Sequence, residues 1–202
     1  LRVIDGYVYR DASLVHNGHG VELKPIFGGG VGMPITGVTI DGVYAVNVNG
    51  GAVGIRGGAV SGNTIRNVVS VSTVAGAYGA AIIICEGAHD NLIERVLSRG
   101  NLRGIFPWLN GEMLGDNPGL AAGYDNTLRD ITMRGVATVI GGASMISGSG
   151  KLNTTTIENL TVTGATTLYS FGGAGAGTGN VIRDSAATGI GTRGDAVTSG
   201  QW

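Results

Sequence analysis

The sequence predicts an all-β solenoid, in which successive turns of the chain stack on one another. Two observations predict it. A short phrase of residues recurs along the chain, and glycine, threonine, valine, asparagine and serine dominate over good helix formers. The phrase is Asn, a small or apolar residue, Ile or Leu, a charged residue, a polar or charged residue, and then an aliphatic residue. Self-similarity with a period of roughly 20–50 residues is typical of solenoids and repeat arrays.

The phrase marks one strand in each turn of the predicted solenoid. Clear copies begin at Asn63, Asn91, Asn126 and Asn180, a variant begins at Thr155, and two looser copies begin at Arg2 and Val38. Successive copies are 36, 25, 28, 35, 29 and 25 residues apart. A coil of this length that closes on itself is one rung of a parallel β-helix, so about seven rungs are expected.

A second strand is expected between successive copies of the phrase. Glycine accounts for 39 of the 202 residues, against a usual share of about 7%, and it interrupts the chain too often for amphipathic helices. What remains are short runs of β-forming residues bounded by turn residues. The second strands are predicted within residues 20–25, 52–57, 82–87, 104–109, 137–142 and 167–173.

Stacked rungs predict stacked side chains, because paired strands lie about 4.8 Å apart and each residue lies above its equivalent. We expect an interior stack made of Ile65, Leu92 or Ile93, Leu128, Ile157 and Ile182. We expect a ladder of side-chain amides made of Asn63, Asn91, Asn126 and Asn180. Identical side chains stack favourably in register, so we interpret these asparagines as structural.

Composition excludes several classes of protein. Hydrophobic residues make up 43% of the chain, which is too many for a disordered glycine-rich linker. Charged residues make up 13%, the formal net charge is −1, and no basic stripe predicts nucleic-acid binding. No apolar run reaches the length of a membrane-spanning helix. We therefore expect neither a nucleic-acid partner nor a membrane span.

The single cysteine and the histidines give no metal pattern. Cys85 lies in the apolar run "AAIIICEG" and is interpreted as a buried, inert thiol. His16 and His19 in "HNGHG" are a weak metal signal and are interpreted as turn residues. His89 is interpreted as structural. We predict no metal and no cofactor.

Two long spacings indicate inserted loops, at residues 16–34 and 107–125. Loops that leave a rigid scaffold commonly carry function. Residues 191–202 no longer follow the repeat. We expect a β-helix over residues 1–190 and an extension or linker over 191–202. Because the sequence begins within a repeat, we expect the chain to be a segment of a longer protein.

The combination of "HGVELKP", "GGAVGIRGG", "GAHDNLIERVLSRG" and "YDNTLRDITMRG" resembles the pectate-lyase-like superfamily of right-handed parallel β-helix proteins. Within that superfamily, the residue pattern of this sequence is most similar to that of the β-helices of bacteriophage and prophage tailspikes and tail fibres. The resemblance covers roughly residues 1–190. It is specific for the fold, a right-handed single-stranded parallel β-helix, and much less so for function, because the phrase encodes stacking and not chemistry.

The resemblance implies a virion structural protein that recognises a host cell-surface polysaccharide, located on the phage tail or particle surface. Whether such a protein also cleaves the glycan is left open. The alternative is an extracellular polysaccharide lyase or glycoside hydrolase, although neither a calcium-lyase cluster of Asp residues nor a "DPHE" motif is present. A bacterial surface adhesin is a second alternative. The partners implied are a host glycan, other tail proteins and two sister chains in a homotrimer.

A trimer is also favoured by chemistry. A β-helix exposes long, flat strands with unpaired ends, which must be capped or covered. No amphipathic capping helix is evident in this sequence, so neighbouring domains or sister chains should cover them. The low charge and the small apolar residues at outward positions suit side-to-side association.

A candidate binding strip follows from aligning the second strands. If Leu23, Ile55, Cys85 and Pro107 are equivalent, then Lys24, Arg56, Glu86 and Trp108 form one outward column. An indole offers a flat apolar face to a sugar ring, while Arg and Glu offer directional hydrogen bonds. We therefore predict substrate binding by Lys24, Arg56 and Trp108. The alternative is a solvated ladder in which Arg56 pairs with Glu86 and Trp108 packs under its own loop.

Hydrolysis of a glycosidic bond requires two carboxyl groups on either side of it. The best candidates for catalysis are Glu86 together with Glu112 or Asp116, the last two being in the long loop. A lyase would instead need a base, and Lys24, Arg56 or a histidine could serve.

Overall fold

A computed structural model describes residues 2–9, 18–25, 27–28, 31–73, 79–109, 122–144, 151–170 and 177–192. Within these ranges the chain forms twenty β-strands and no helix. Accordingly, no helix in the described ranges is long and apolar enough to cross a membrane.

The strands are short, as the frequent glycines predict. In chain order they are β1 (Arg2–Tyr9), β2 (Val21–Leu23), β3 (Phe27–Gly28), β4 (Val31–Gly32), β5 (Thr39–Val46), β6 (Gly51–Arg56), β7 (Thr64–Val71), β8 (Ala80–Cys85), β9 (Ala88–His89), β10 (Leu92–Arg99), β11 (Arg103–Leu109), β12 (Gly123–Tyr124), β13 (Thr127–Arg134), β14 (Thr138–Gly141), β15 (Ala143–Ser144), β16 (Leu152–Asn153), β17 (Thr156–Thr163), β18 (Thr167–Ser170), β19 (Val181–Arg183) and β20 (Ala186–Thr188).

Three parallel sheets form the sides of a solenoid, which confirms the predicted all-β parallel coil. The first sheet has the order β1-β5-β7-β10-β13-β17-β19, with β20 also on β17. The second has the order β18-β14-β11-β8-β6-β2, with β15 also on β11, and the third has the order β16-β12-β9. The phrase strands form the first sheet and the predicted second strands form the second. The third sheet, with strands of two residues, was not predicted. β3 and β4 form a separate antiparallel pair.

The chain completes about four turns, and the expectation of seven rungs is wrong. Seven strands do stack in order along the first sheet, but only three stack in the third. Turns with all three sides begin at β5, β7, β10 and β13. In the β5 turn, the bridges formed by Val60 and Ser61 supply the third side. The phrase marks one side only, so counting its copies overestimates the number of complete turns.

The predicted interior stack is present along the first sheet. Strand pairing places its members in one column, Ile40, Ile65, Ile93, Leu128, Ile157 and Ile182. All but the terminal Ile182 are at most 1% exposed. A second column of aliphatic residues lies three residues further along each strand, from Val43 to Leu160. Burial of these side chains is the main favourable term for the fold.

The predicted asparagine ladder is also present, at the corner that precedes the first sheet. The Asn63 side-chain amide donates to Asn91 Oδ1 at 3.0 Å, and that of Asn91 donates to Asn126 Oδ1 at 3.1 Å. The same oxygens accept backbone N–H groups, from Asn63 and Asn91, at 3.1 Å. Thr155 stands at the next position, and Asn180 Oδ1 accepts its backbone N–H. The ladder thus satisfies corner groups that no strand pairing reaches.

From β5 to β17, each strand of the first sheet bends at one residue with a left-handed backbone, and the equivalent bend separates β19 from β20. These residues are Gly42, Asn67, Arg95, Asp130, Asn159 and Asp184, with φ between 52° and 83°. Glycine, asparagine and aspartate tolerate this conformation best, which explains the polar position of the phrase. A second corner ends the first sheet at Gly100 and its equivalents. At Gly100 φ is 69°, and a Cβ atom would lie 2.3 Å from the Ser72 carbonyl oxygen.

Charges alternate in sign along one outward column of the first sheet. The column consists of Asp41, Arg66, Glu94, Arg129, Glu158 and Arg183. Neighbouring turns form ion pairs, Arg66 with Asp41 at 2.8 Å, Arg129 with Glu94 at 2.6 Å, and Arg183 with Glu158. The charged position of the phrase therefore contributes to the register between turns.

The solenoid pattern continues to the last described residues. The N–H groups of Gly191 and Thr192 donate to the carbonyls of Ala165 and Thr166. Residues 193–202, most of the expected extension, lie outside the described ranges. So do residues 110–121 of the second inserted loop, whereas 107–109 of that predicted loop belong to β11.

The buried ladder predicts a strong effect of a conservative change. Asn91→Asp removes the amide that donates to Asn126 and to the Val60 carbonyl, and places a carboxylate at a site that is 2% exposed. We expect a loss of about 2–4 kcal/mol in the free energy of unfolding, measured by urea denaturation. Asn153→Asp is the control, because it keeps the oxygen that accepts the Thr178 N–H. A loss below that of the control would contradict the role of the ladder.

The charge column predicts an effect that depends on burial. Glu94 has a side chain only 5% exposed and binds both Arg95 and Arg129, whereas that of Glu158 is 26% exposed and binds Arg183. Glu94→Gln should lower the midpoint of urea unfolding more than Glu158→Gln, since ion pairs near water contribute little. Equal midpoints for the two variants would show that the column is only a solvated surface.

Candidate functional site

The outward side of the second sheet carries the residues predicted to bind substrate. Strand pairing places Arg56 beside Cys85, and Cys85 beside Trp108. Lys24 follows Leu23, which pairs with Ile55, so continuing this register places Lys24 beside Arg56. The structure therefore brings Lys24, Arg56 and Trp108 into one column.

The assumed alignment differs from the structure by one residue in the third member. Ile84, and not Cys85, pairs with both Ile55 and Pro107. The column consequently contains Cys85 where Glu86 was expected. A slip of one residue exchanges the two faces of a strand, and the lengths of the intervening turns fix the register. The phrase strands do not determine it.

Arg56 spans this column and contacts the indole two strands away. Its guanidinium carbon lies 5.3 Å from the centroid of the Trp108 ring, although β8 lies between them. Cys85 is a small residue, which allows the Arg56 side chain to cross it. Arg56 is only 6% exposed, and its Nε lies 3.8 Å from Glu22 Oε1. The arginine is thus held in place by aromatic and acidic neighbours, an arrangement typical of a preorganised cation.

Trp108 belongs to a small apolar cluster outside the solenoid core. Ala80, Ile83 and Cys85 are its buried members, and Phe106 and Trp108 pack against them half-buried. The Phe106 and Trp108 rings lie 6.1 Å apart with an interplanar angle of 13°. We call Arg56, Ile83, Cys85, Phe106 and Trp108 the outer platform.

A second cation extends the outer platform along β11. The guanidinium carbon of Arg103 lies 4.2 Å from the centroid of the Phe106 ring. The platform and Arg103 together combine two half-buried aromatic rings with a guanidinium group over each ring. Such a surface offers apolar ring contact and charged hydrogen-bond donors to the same ligand.

His19 and Glu22 border the outer platform. The His19 ring packs against Gly50, and a Cβ atom on this glycine would lie 3.0 Å from the ring. The Gly51 N–H donates to His19 Nδ1 at 3.1 Å, so this nitrogen carries no proton. Burial lowers the pKa of His19, the Glu22 carboxylate opposes this, and Arg56 and Lys24 lower the pKa further. The imidazole is therefore neutral near pH 7, with its Nε2–H 3.7 Å from Glu22 Oε1.

The predicted catalytic carboxyl groups are not brought together within the described residues. Glu86 has a left-handed backbone, with φ of 57°, and its side chain is fully buried. A general acid or nucleophile must reach its substrate, so catalysis through Glu86 would require this turn to open. Glu112 and Asp116 lie outside the described ranges, and the catalytic role of all three residues stays a prediction.

His89 forms a separate cluster on the third sheet. Its ring stacks on that of Tyr124 at 4.6 Å, its Nε2 lies 3.0 Å from the Gly58 carbonyl oxygen, and its Nδ1 lies 2.8 Å from Asp90 Oδ2. Burial, followed by Asp90 and Asp125, raises the pKa of Tyr124. One ring nitrogen of His89 is engaged with Gly58 of the preceding turn and the other with the adjacent Asp90, which agrees with the interpretation of His89 as structural.

The described residues contain no group of three His, Cys, Asp or Glu side chains that could hold a metal ion. His16 lies outside the described ranges.

Sequence reasoning missed part of the outer platform and its border, namely His19, Glu22, Ile83, Arg103 and Phe106. The alternation in "RGIFPWL" was available as a signal, because Phe106 and Trp108 are two residues apart and therefore share one face of a strand. His19 and Glu22 carried no such signal, since their placement depends on the turn into β2.

Comparison with protein-family models, with curated proteins and with solved structures finds no match for this chain.

The thiol in the outer platform should be inert. Cys85 is 1% exposed, and burial raises its pKa to about 12, although Arg56 acts in the opposite direction. At pH 8 only about one thiol in 10⁴ would then be thiolate, the reactive form. We expect Ellman's reagent to label no thiol in the native protein and one in urea. Rapid labelling of the native protein would show that the platform opens.

Proposed function

We propose that this chain is a β-solenoid recognition module that binds polysaccharide through the outer platform. The observation that carries the proposal is a pair of half-buried rings, Phe106 and Trp108, on the outward side of a regular sheet, with the Arg56 guanidinium 5.3 Å from the Trp108 ring. An aromatic surface complements the apolar face of a sugar ring. The buried Arg56 lies against the indole, whereas the half-buried Arg103 on the Phe106 ring would donate charged hydrogen bonds to hydroxyl or acidic groups.

The rigidity of the scaffold supports a role in recognition. Arg56 and Trp108 lie on strands that pair through β8, and all six residues of β6 and all six of β8 are buried. Binding groups that are already held in place lose little conformational entropy when a ligand binds. A linear polymer also suits a surface whose columns repeat at the spacing of the turns.

The sequence resemblance supports a biological setting for this module. The parallel solenoid is the architecture that the resemblance implies, and we propose that the chain is part of a tailspike or tail fibre on a phage particle. Its ligand would then be a polysaccharide of the host surface. Lys24, which is exposed at the end of the same column, would add a further cation to the site.

Loss of the indole tests the proposal. The protein should first be screened on an array of acidic and neutral bacterial surface polysaccharides, and affinity for the best binder then measured by calorimetry. Trp108→Ala should weaken binding at least tenfold, which corresponds to about 1.4 kcal/mol, while Trp108→Phe should retain most of the affinity. Thr161→Ala, on the outward side of the first sheet, is the control and should bind as the wild type does.

Two results would overturn the proposal: no binding to any polysaccharide on the array, or equal affinities for Trp108→Ala and the wild type. The same incubations should be assayed for new reducing ends and for the ultraviolet absorbance of unsaturated uronates. Turnover in this assay would identify a depolymerase.

A further inference from the structure

Two arginines lie side by side where the first sheet ends. Strand pairing places Arg99, the last residue of β10, beside Arg134, the last residue of β13. Both residues are exposed, and paired strands lie about 4.8 Å apart. Two cations on neighbouring strands repel each other unless a negative group lies between them. We call Arg99 and Arg134 the arginine pair.

The same two strands match opposite charges nearer their other end. Glu94 of β10 lies beside Arg129 of β13, and the two side chains form an ion pair at 2.6 Å. Arg66 of β7 and Asp41 of β5 form the equivalent ion pair two turns earlier in the same column. The pairing of β10 with β13 therefore accommodates opposite signs, and the arginine pair departs from that pattern.

Among the described residues, the outward neighbours of the arginine pair are all uncharged. The same outward column continues with Val71 on β7 and Thr163 on β17. In the adjacent outward column, Leu97 and Thr132 precede the two arginines by two residues on their strands. The described ion pairs of the first sheet involve neither arginine. Two exposed guanidinium groups thus share a surface with hydroxyl and apolar groups, which leaves room for an anion from outside.

We propose that the arginine pair binds a carboxylate or sulfate group of an acidic polysaccharide. A guanidinium donates two parallel hydrogen bonds to such a group, and charge-assisted hydrogen bonds are stronger than neutral ones. Two guanidinium groups on adjacent strands can both donate to one bound anion, which then offsets their mutual repulsion. The polymer is taken to be a polysaccharide on the strength of the proposed function, whereas its negative charge follows from the arginine pair.

A third arginine lies between the arginine pair and the outer platform along the chain. Arg103, the first residue of β11, follows Arg99 by four residues, beyond the corner at Gly100. Its guanidinium carbon lies 4.2 Å from the centroid of the Phe106 ring. The turn that contains β10 and β11 therefore presents a cation on each side of this corner. A polymer with regularly spaced acidic groups can meet both cations, whereas a neutral polymer gains only the ring contacts.

A nucleic acid suits this surface less well than an acidic polysaccharide. Phosphates recur at every nucleotide, so proteins that bind nucleic acids present a patch or stripe of many cations. Here Val71 and Thr163 interrupt the column on both sides of the arginine pair, and the formal net charge of the chain is −1. A polysaccharide with more widely spaced charges needs fewer cations.

Charge-selective binding tests the arginine pair. Affinities for dextran sulfate, polygalacturonate and unmodified dextran should be measured by calorimetry at one ionic strength, because charged contacts weaken with salt. We expect the wild type to bind at least one acidic polymer more tightly than dextran, and that polymer identifies the group as sulfate or carboxylate. The double variant Arg99→Gln, Arg134→Gln should bind it at least about tenfold more weakly. A wild type with no preference for an acidic polymer overturns the proposal, and so does tighter binding of oligothymidylate.

A matched double variant separates the arginine pair from the total charge. Arg66→Gln with Arg129→Gln removes the same two positive charges from the same sheet, but these arginines already bind Asp41 and Glu94. Because their guanidinium groups have partners, this control should keep its affinity within about twofold of the wild type. A loss equal to that of the first double variant would show that only net charge matters, which contradicts a site at the arginine pair.

Trp108→Ala distinguishes the arginine pair from the outer platform. Binding of the acidic polymer that survives Trp108→Ala but not the loss of the two arginines would support the arginine pair and reject the platform. Binding that is lost in Trp108→Ala and retained without the two arginines would keep the platform and overturn the arginine pair.

Discussion

Hydrogen bonding between successive turns fixes the position of every other group in this protein. Parallel pairing holds neighbouring turns at the strand spacing, so each side chain lies against its equivalents above and below. A residue at a given position must therefore tolerate a copy of itself or a complementary partner. Isoleucine does so by close packing, and asparagine does so because its amide donates and accepts at once. Charged residues do so by alternating in sign, as Asp41, Arg66 and Glu94 do.

This constraint explains which parts of the fold could be predicted. The interior stack and the asparagine ladder require the same residue type at each turn, so they leave a repeated phrase in the sequence. The short strands of the third sheet leave none. Gly123 and Tyr124 form one of them, and two residues are too few to show periodicity. The number of complete turns was overestimated for the same reason, since only one side of the coil carries the phrase.

The candidate site was partly predictable for a related reason. Arg56 and Trp108 were expected in one column because the residues before them, Ile55 and Pro107, were aligned as equivalent, and they do lie in one column. Glu86 was assigned to this column because the sequence "AAIIICEG" does not reveal a register shift of one residue between β6 and β8. The residues before Glu86 are all apolar, so either alignment looks equally good. The contacts of His19 with Gly51 and Glu22 could not be foreseen, because the turn before β2 determines them.

The alternating charges also restrict how many turns can be added to or removed from the solenoid. Their ion pairs join turns two by two: Asp41 with Arg66, Glu94 with Arg129, and Glu158 with Arg183. Removal of the single turn that carries Glu94 would set Arg66 directly against Arg129, two arginines at the strand spacing. Removal of two adjacent turns would restore opposite signs at the junction. Evolution or design can therefore lengthen or shorten this coil by even numbers of turns at little electrostatic cost, while odd numbers meet like charges.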